Sequence, residues 1–79
     1  MEHNIKKGDL YKDSNYGIPP LGDKYDGIYR ICNVAFVEHI KTLKSEKSWY
    51  VYFYRIDGDR RNIFSSFIEL FSEDYVKCQ

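Results

Sequence analysis

The stretch Ser48-Trp49-Tyr50-Val51-Tyr52-Phe53-Tyr54-Arg55-Ile56 decides how the rest of the chain is read. Nearly every residue in it is aromatic or β-branched, the types that fit a pleated, packed surface. Strand alternation puts Trp49, Val51 and Phe53 on one face. Tyr50, Tyr52, Tyr54 and Ile56 fall on the other. One face is apolar and suits a core. The other is a ladder of tyrosines with hydroxyl tips.

Downstream, Asp57-Gly58-Asp59 is a tight hairpin signal. It predicts a short returning strand over 60–64, Arg-Arg-Asn-Ile-Phe, with Ile63 or Phe64 pointing inward. The period then changes. Ser66 with Glu69 three residues on reads as a capping box. Phe67, Leu70 and Phe71 follow at helical spacing, one apolar face of a short helix that ends at Ser72-Glu73-Asp74. A last short strand is expected over 75–78, as an exposed sheet edge.

Upstream, 41–47 is polar and reads as a hairpin loop. The long strand expected over 28–40 has no clean parity. A β-bulge near Cys32-Asn33 resolves this, with Tyr29 and Ile31 inward before it and Val34 and Phe36 inward after it. Residues 13–27 hold Gly17, Gly22, Gly27 and Pro19-Pro20 and keep no period, so they form a long irregular loop. Tyr16, Ile18 and Leu21 in that loop suit packing over one end of the core; long loops are also frequent functional segments. At the start, Lys7-Gly8-Asp9 is a turn within a first strand segment over 5–12.

The order is strand, long loop, strand, hairpin, strand, tight hairpin, strand, helical turn, strand. The fold class is mainly β. With Lys7 to Tyr11, Tyr29 to Val37, Trp49 to Ile56, Asn62 to Phe64, Phe67 and Phe71 in those places, the chain resembles small single-domain bacterial and phage proteins with an SH3-like barrel layout. That resemblance implies one small β-barrel domain of about five strands over 1–79, with a short helix before the last. The long loop lacks the acidic cluster and following tryptophan pair of eukaryotic SH3 domains, so binding of Pro-rich ligands is not implied.

Seventy-nine residues give a single small core, which the 18% aromatic content enlarges. Net charge is zero, which argues against a protein that coats DNA. Cys32 and Cys78 show no metal or redox spacing and read as reduced thiols, Cys32 within a buried strand. No leader-like apolar segment opens the sequence and no run is long enough to span a membrane, so a cytoplasmic protein without membrane contact is expected. Ala35 is the only alanine beside eight each of Lys, Ile and Tyr, a bias that fits an AT-rich genome such as that of a phage or a low-GC bacterium.

Catalytic and metal signatures are not found. His3 sits near the terminus and His39 reads as a surface residue beside Glu38. Asp57 and Asp59 fall short of a calcium loop and read as turn residues. No cofactor is implied, and an enzyme is the least expected class. The binding candidates are Tyr50, Tyr52 and Tyr54 on one strand face, with Arg55 after them and Arg60 and Arg61 on the expected returning strand. Tyrosine beside arginine suits a protein interface, and equally suits stacked bases of a single strand. The tyrosines could also be purely structural. The expectation carried forward is a phage or mobile-element protein that binds a host protein and inhibits it. The alternatives are single-stranded nucleic-acid binding on the tyrosine and arginine face, or a small molecule held between the long loop and the barrel. A homodimer through the exposed edge Tyr75 to Cys78 is compatible with all of these.

Overall fold

The computed structural model describes residues 4–17 and 27–78. In chain order the elements are β1 (Leu10–Asp13), β2 (Ile28–Lys41), β3 (Lys44–Arg55), β4 (Phe64–Phe67), helix α1 (Ile68–Asp74) and β5 (Tyr75–Lys77). All strand pairs are antiparallel, and they form one sheet in the order β4-β3-β2-β1-β5. The chain is therefore mainly β, with a short helix before its last strand. β4 and β5 are the sheet edges, and among the described residues no ladder joins them. The pairing thus does not show the closure expected of a barrel. The expected 13–27 loop falls mostly outside the described residues, with Ile18 and Leu21 in that part; Asp13 ends β1 and Tyr16 is exposed.

The frame is the β2–β3 hairpin, paired from Tyr29↔Arg55 to Lys41↔Lys44. It is longer than 41–47 suggested as a loop. Only Thr42 and Leu43 turn, at φ 53° and 63°. Two central residues with positive φ make a type I′ turn, whose twist matches the flanking strands. Glycine and asparagine usually fill it, so a β-branched threonine and a leucine hold a strained conformation here. The polar composition of 41–47 reflects exposure of the hairpin tip rather than irregular backbone.

The bulge lies where the parity of 28–40 breaks, with the register shifting between Ile31 and Asn33. It brings Ile31 and Val34 to one face, opposite Phe53 and Val51. Ile31 is fully buried and Val34 packs against the core. Phe36 shares that face but is 54% exposed, and among the described residues its ring partner is Trp49, at 5.1 Å. Phe36 is therefore not a core residue. Cys32, the bulge residue, is half-buried rather than buried, and Cys32 and Cys78 are both free thiols.

β4 begins later than the sequence suggested. Residues 60–63 lie in the turn region, and Phe64–Phe67 pairs with Phe53 to Tyr50. Asp59 explains the delay: its carboxylate accepts the backbone N–H of Arg61, and its carbonyl accepts that of Asn62. A local Asx turn of this kind competes with the ladder. The capping box does not form. Phe67 is the N-cap residue of α1, and Ser66 Oγ donates to the Phe67 carbonyl instead. Phe67 stays on the sheet, Leu70 is 51% exposed, and Ile68 and Phe71 form the buried side of α1. The helix also runs on through Ser72, Glu73 and Asp74.

The core is Ile5, Tyr11, Ile31, Val51, Phe53, Ile68 and Phe71. Phe71 is its hub, with ring centroids 4.9 Å from Tyr11, 5.0 Å from Phe53 and 4.7 Å from Tyr75. Burial pushes the Tyr75 phenol up to about 12, with the neighbouring Tyr29, Asp13 and Asp74 adding to the rise. Burial, then Asp9, raises that of Tyr11. Gly8, at φ 96°, lets the 7–9 turn point its N–H at the Ile31 carbonyl, 2.7 Å away. Ile31 N–H donates to the Asp9 carbonyl in return, which ties β1 to the start of β2.

Candidate functional site

The two faces of β3 divide as the alternation of Trp49 to Arg55 requires. Val51 and Phe53 are buried, and Trp49 packs beside them. Tyr50, Tyr52 and Tyr54 stand on the opposite face and are half-buried. The register sets their neighbours: Ala35 and Phe67 flank Tyr50, Asn33 and Ser65 flank Tyr52, and Arg30 lies across from Tyr54.

Aromatic contacts organise this face. Tyr50 and Tyr52 stack with centroids 6.5 Å apart and planes 27° from parallel. Phe67 lies 4.6 Å from Tyr50. His39 sits edge-on to both, 5.5 Å from Phe67 and 6.2 Å from Tyr50, and its Nε2 shares a hydrogen bond with Ser48 Oγ at 3.0 Å. His39 is half-buried within the face, not a plain surface residue. Among the described residues, Ser48 is the hydrogen-bond partner of the imidazole.

A groove of about 630 Å³ opens at this end of the face. Its walls include His39, Glu46, Ser48 and Phe67 from the strands, and Glu69 and Leu70 from the first turn of α1. Apart from that turn, α1 belongs to the other side of the sheet, where Ile68 and Phe71 join Val51 and Phe53 in the core. Among the described residues, no strand or helix lies across Tyr52 and Tyr54.

The arginines are placed less uniformly than the tyrosines. Arg55 grips Asp57 with two hydrogen bonds, Nε to Oδ1 at 2.6 Å and Nη2 to Oδ2 at 3.3 Å. Arg61 grips Asp59 in the same way, both at 3.2 Å. These bonds hold both carboxyls below the usual aspartate range. Of these three, Arg60 joins the face, its guanidinium carbon 6.0 Å above the Tyr54 ring, beside Arg30 across the ladder. Arg60 and Arg61 lie in the turn region and not on a facing strand, which corrects the arrangement expected from sequence. Asp57 and Asp59 thus serve as turn residues and as arginine partners.

The structure brings Tyr50, Tyr52, Tyr54 and Arg60 together and turns Arg55 and Arg61 toward aspartates. It adds His39, Ser48 and Phe67. A signal for His39 was present: beyond the bulge it shares parity with Ala35 and Val37, which lie across from Tyr50 and Ser48. Phe67 gave none, because it sits where strand and helix periods meet. Among the described residues no cluster of His, Cys, Asp or Glu could hold a metal ion, and no helix is long and apolar enough to cross a membrane. Compared with protein-family models, curated proteins and solved structures, the chain matches none.

Proposed function

We propose that this chain is a protein-binding module and that the face bearing Tyr50, Tyr52 and Tyr54 is its contact surface. The observation that carries this is an aromatic row left half-exposed on the sheet while α1 packs against the opposite face. Tyr side chains offer large, rigid contact area with a polar tip, which is why they recur as interface anchors. His39, Phe67 and the groove beside them extend the surface, and Arg60 supplies a cation at its other end.

Charge favours a protein over a nucleic acid as the partner. Strand binding needs cations along the stacking rings, whereas Arg55 and Arg61 are each held by an aspartate and Arg30 and Arg60 gather at the Tyr54 end. If the chain is encoded by a phage or mobile element, the partner is a host protein, inhibited by occupation of a site on it. That source is an expectation from the sequence alone, and no catalytic role enters the reading.

The test is affinity capture from a bacterial lysate, with Tyr52→Ala and Arg60→Ala as controls. A stoichiometric partner lost with Tyr52→Ala supports the reading. Capture unchanged by both substitutions moves the contact off this face. Salt-sensitive binding of single-stranded DNA, abolished by Tyr50→Ala and Tyr52→Ala, would replace it with the nucleic-acid alternative.

A further inference from the structure

The β2–β3 hairpin extends beyond the rest of the sheet and leaves strand edges open. On β2, the ladder with β1 covers only Ile28 to Arg30. The two bonds of Ile31 to Gly8 and Asp9 end that coverage, and the bulge follows. Beyond it, residues 34–40 have no strand on that side among the described residues.

The direction of the backbone groups follows from the turn. In a two-residue type I′ hairpin the flanking pair, here Lys41 and Lys44, exchanges both bonds. Alternation then turns His39, Val37 and Ala35 toward β3. It turns Ile40, Glu38, Phe36 and Val34 outward. The outward bonds of Ile31, before the bulge, agree with this phase. Among the described residues, the Val34 N–H alone of these has a local partner, the Asn33 Oδ1 at 3.0 Å.

Such an edge is a template for another strand, and proteins usually protect it with lysine, proline or very short length. The 34–40 edge has none of these. Its sequence, Val-Ala-Phe-Val-Glu-His-Ile, holds one formal charge, Glu38. Ile40 and Phe36 are 80% and 54% exposed. The open edge of β3, by contrast, carries Lys44 and Lys47.

We infer that this edge pairs with the same edge of a second copy, forming a two-fold symmetric dimer centred on Val37. Symmetry allows antiparallel self-pairing only where residue i of one copy faces residue j of the other and j faces i. The open segment runs from Val34 to Ile40, and its midpoint is Val37. Centring there places Val37 against Val37 of the second copy, Phe36 against Glu38, Ala35 against His39, and Val34 against Ile40. Every outward backbone group then meets another outward group. No like charges are opposed. Ile40 is covered by a residue that already borders the core. The second copy's arm occupies the part of the β2 edge that β1 leaves free, and the bulge marks the boundary between them.

The dimer also has a consequence for the surface above. A two-fold axis normal to the sheet keeps faces together, so the tyrosine faces of the two copies become one continuous surface. The pairing does not depend on what that surface binds.

The experiment is the solution mass of the full chain by light scattering, followed across a dilution series. A mass of twice 9.5 kDa is expected at high concentration. Val37→Lys, which opposes two like charges at the axis, is expected to return it to 9.5 kDa with an unchanged far-ultraviolet dichroism spectrum. Facing residues at a non-hydrogen-bonded pair have Cα atoms about 4.5 Å apart, within disulfide range. Val37→Cys, with Cys32 and Cys78 replaced by Ser, is therefore expected to form a covalent dimer on mild oxidation. A monomer at all concentrations overturns the inference. So does a dimer that survives Val37→Lys and gives no Val37→Cys cross-link, which would place the contact elsewhere, such as at β5. Tyr52→Ala is expected to leave the mass unchanged, which separates this outcome from that of partner capture.

Discussion

Replacing Phe71 and Leu70 in turn tests which side of α1 is the buried one. The helical spacing places both on one apolar face with Phe67, and the structure separates all three. Phe71 is fully buried, with aromatic neighbours on three sides, Tyr11, Phe53 and Tyr75. Truncating a buried phenylalanine to alanine costs about 3–5 kcal/mol, because transfer free energy is lost and a cavity remains. A chain of 79 residues has a net stability of about 4–12 kcal/mol. Phe71→Ala thus removes a large share of that margin, up to all of it at the low end. Leu70 is 51% exposed. Full burial of a leucine is worth about 1.5–3 kcal/mol, so Leu70→Ala costs about 1 kcal/mol. Urea unfolding followed by tyrosine and tryptophan fluorescence measures both, with free energies compared at a common slope. Equal losses for the two variants, or a larger loss for Leu70→Ala, would refute the placement of the helix against Phe53 and Tyr11.

Further outcomes follow from other parts of the fold. Thr42→Asn with Leu43→Gly supplies residues suited to positive φ at the hairpin tip, and is expected to stabilise the protein by about 1–2 kcal/mol, read as a higher melting temperature. Tyr75 releases its proton less readily folded than unfolded, so its contribution is complete below pH 10.0 and is lost as pH rises toward about 12. Unfolding free energies measured across that window should fall with pH, and fall less steeply in Tyr75→Phe. Asp57 and Asp59 act in the opposite sense, since their folded-state values are lowered. The stability they lend is present above the usual aspartate range and fades in acid, and because both are exposed the change in midpoint on Asp57→Asn is expected to be small.

How far the sequence reports this fold depends on whether local rules and tertiary packing agree. They agree in β3, where an unbroken alternation from Trp49 to Arg55 meets a core on one side only. They agree at the bulge, because keeping Ile31 and Val34 on one face requires an extra residue between them. They disagree at the hairpin tip. The polar run 41–47 contains no glycine or asparagine, so nothing local announces a two-residue turn, and the strands' own pairing imposes it. They disagree again around Asp57 to Asn62. Asp-Gly is a good hairpin signal, but Asp59 binds the backbone ahead of it and defers the strand to Phe64. The tyrosine row was legible as a face, whereas its cations were not, because turn backbone decides which arginine reaches a ring.

That last difference bears on what the face can bind. From spacing alone, Arg55, Arg60 and Arg61 looked like three cations beside three rings. The Asx turn at Asp59 and the bidentate grip of Asp57 withdraw two of them into neutral pairs. An exposed pair of this kind adds little to stability, so its main effect is on the surface it leaves behind. The remaining face is aromatic along β3, with Arg30 and Arg60 beside Tyr54 at one end and His39, Lys41, Glu46 and Glu69 at the other. A surface built for phosphates would carry its cations along the row of stacking rings. Here Arg30 and Arg60 gather beside Tyr54 at one end, and Glu46 and Glu69 border the opposite end together with Lys41. That uneven charge along the row is what the proposal of a protein ligand rests on.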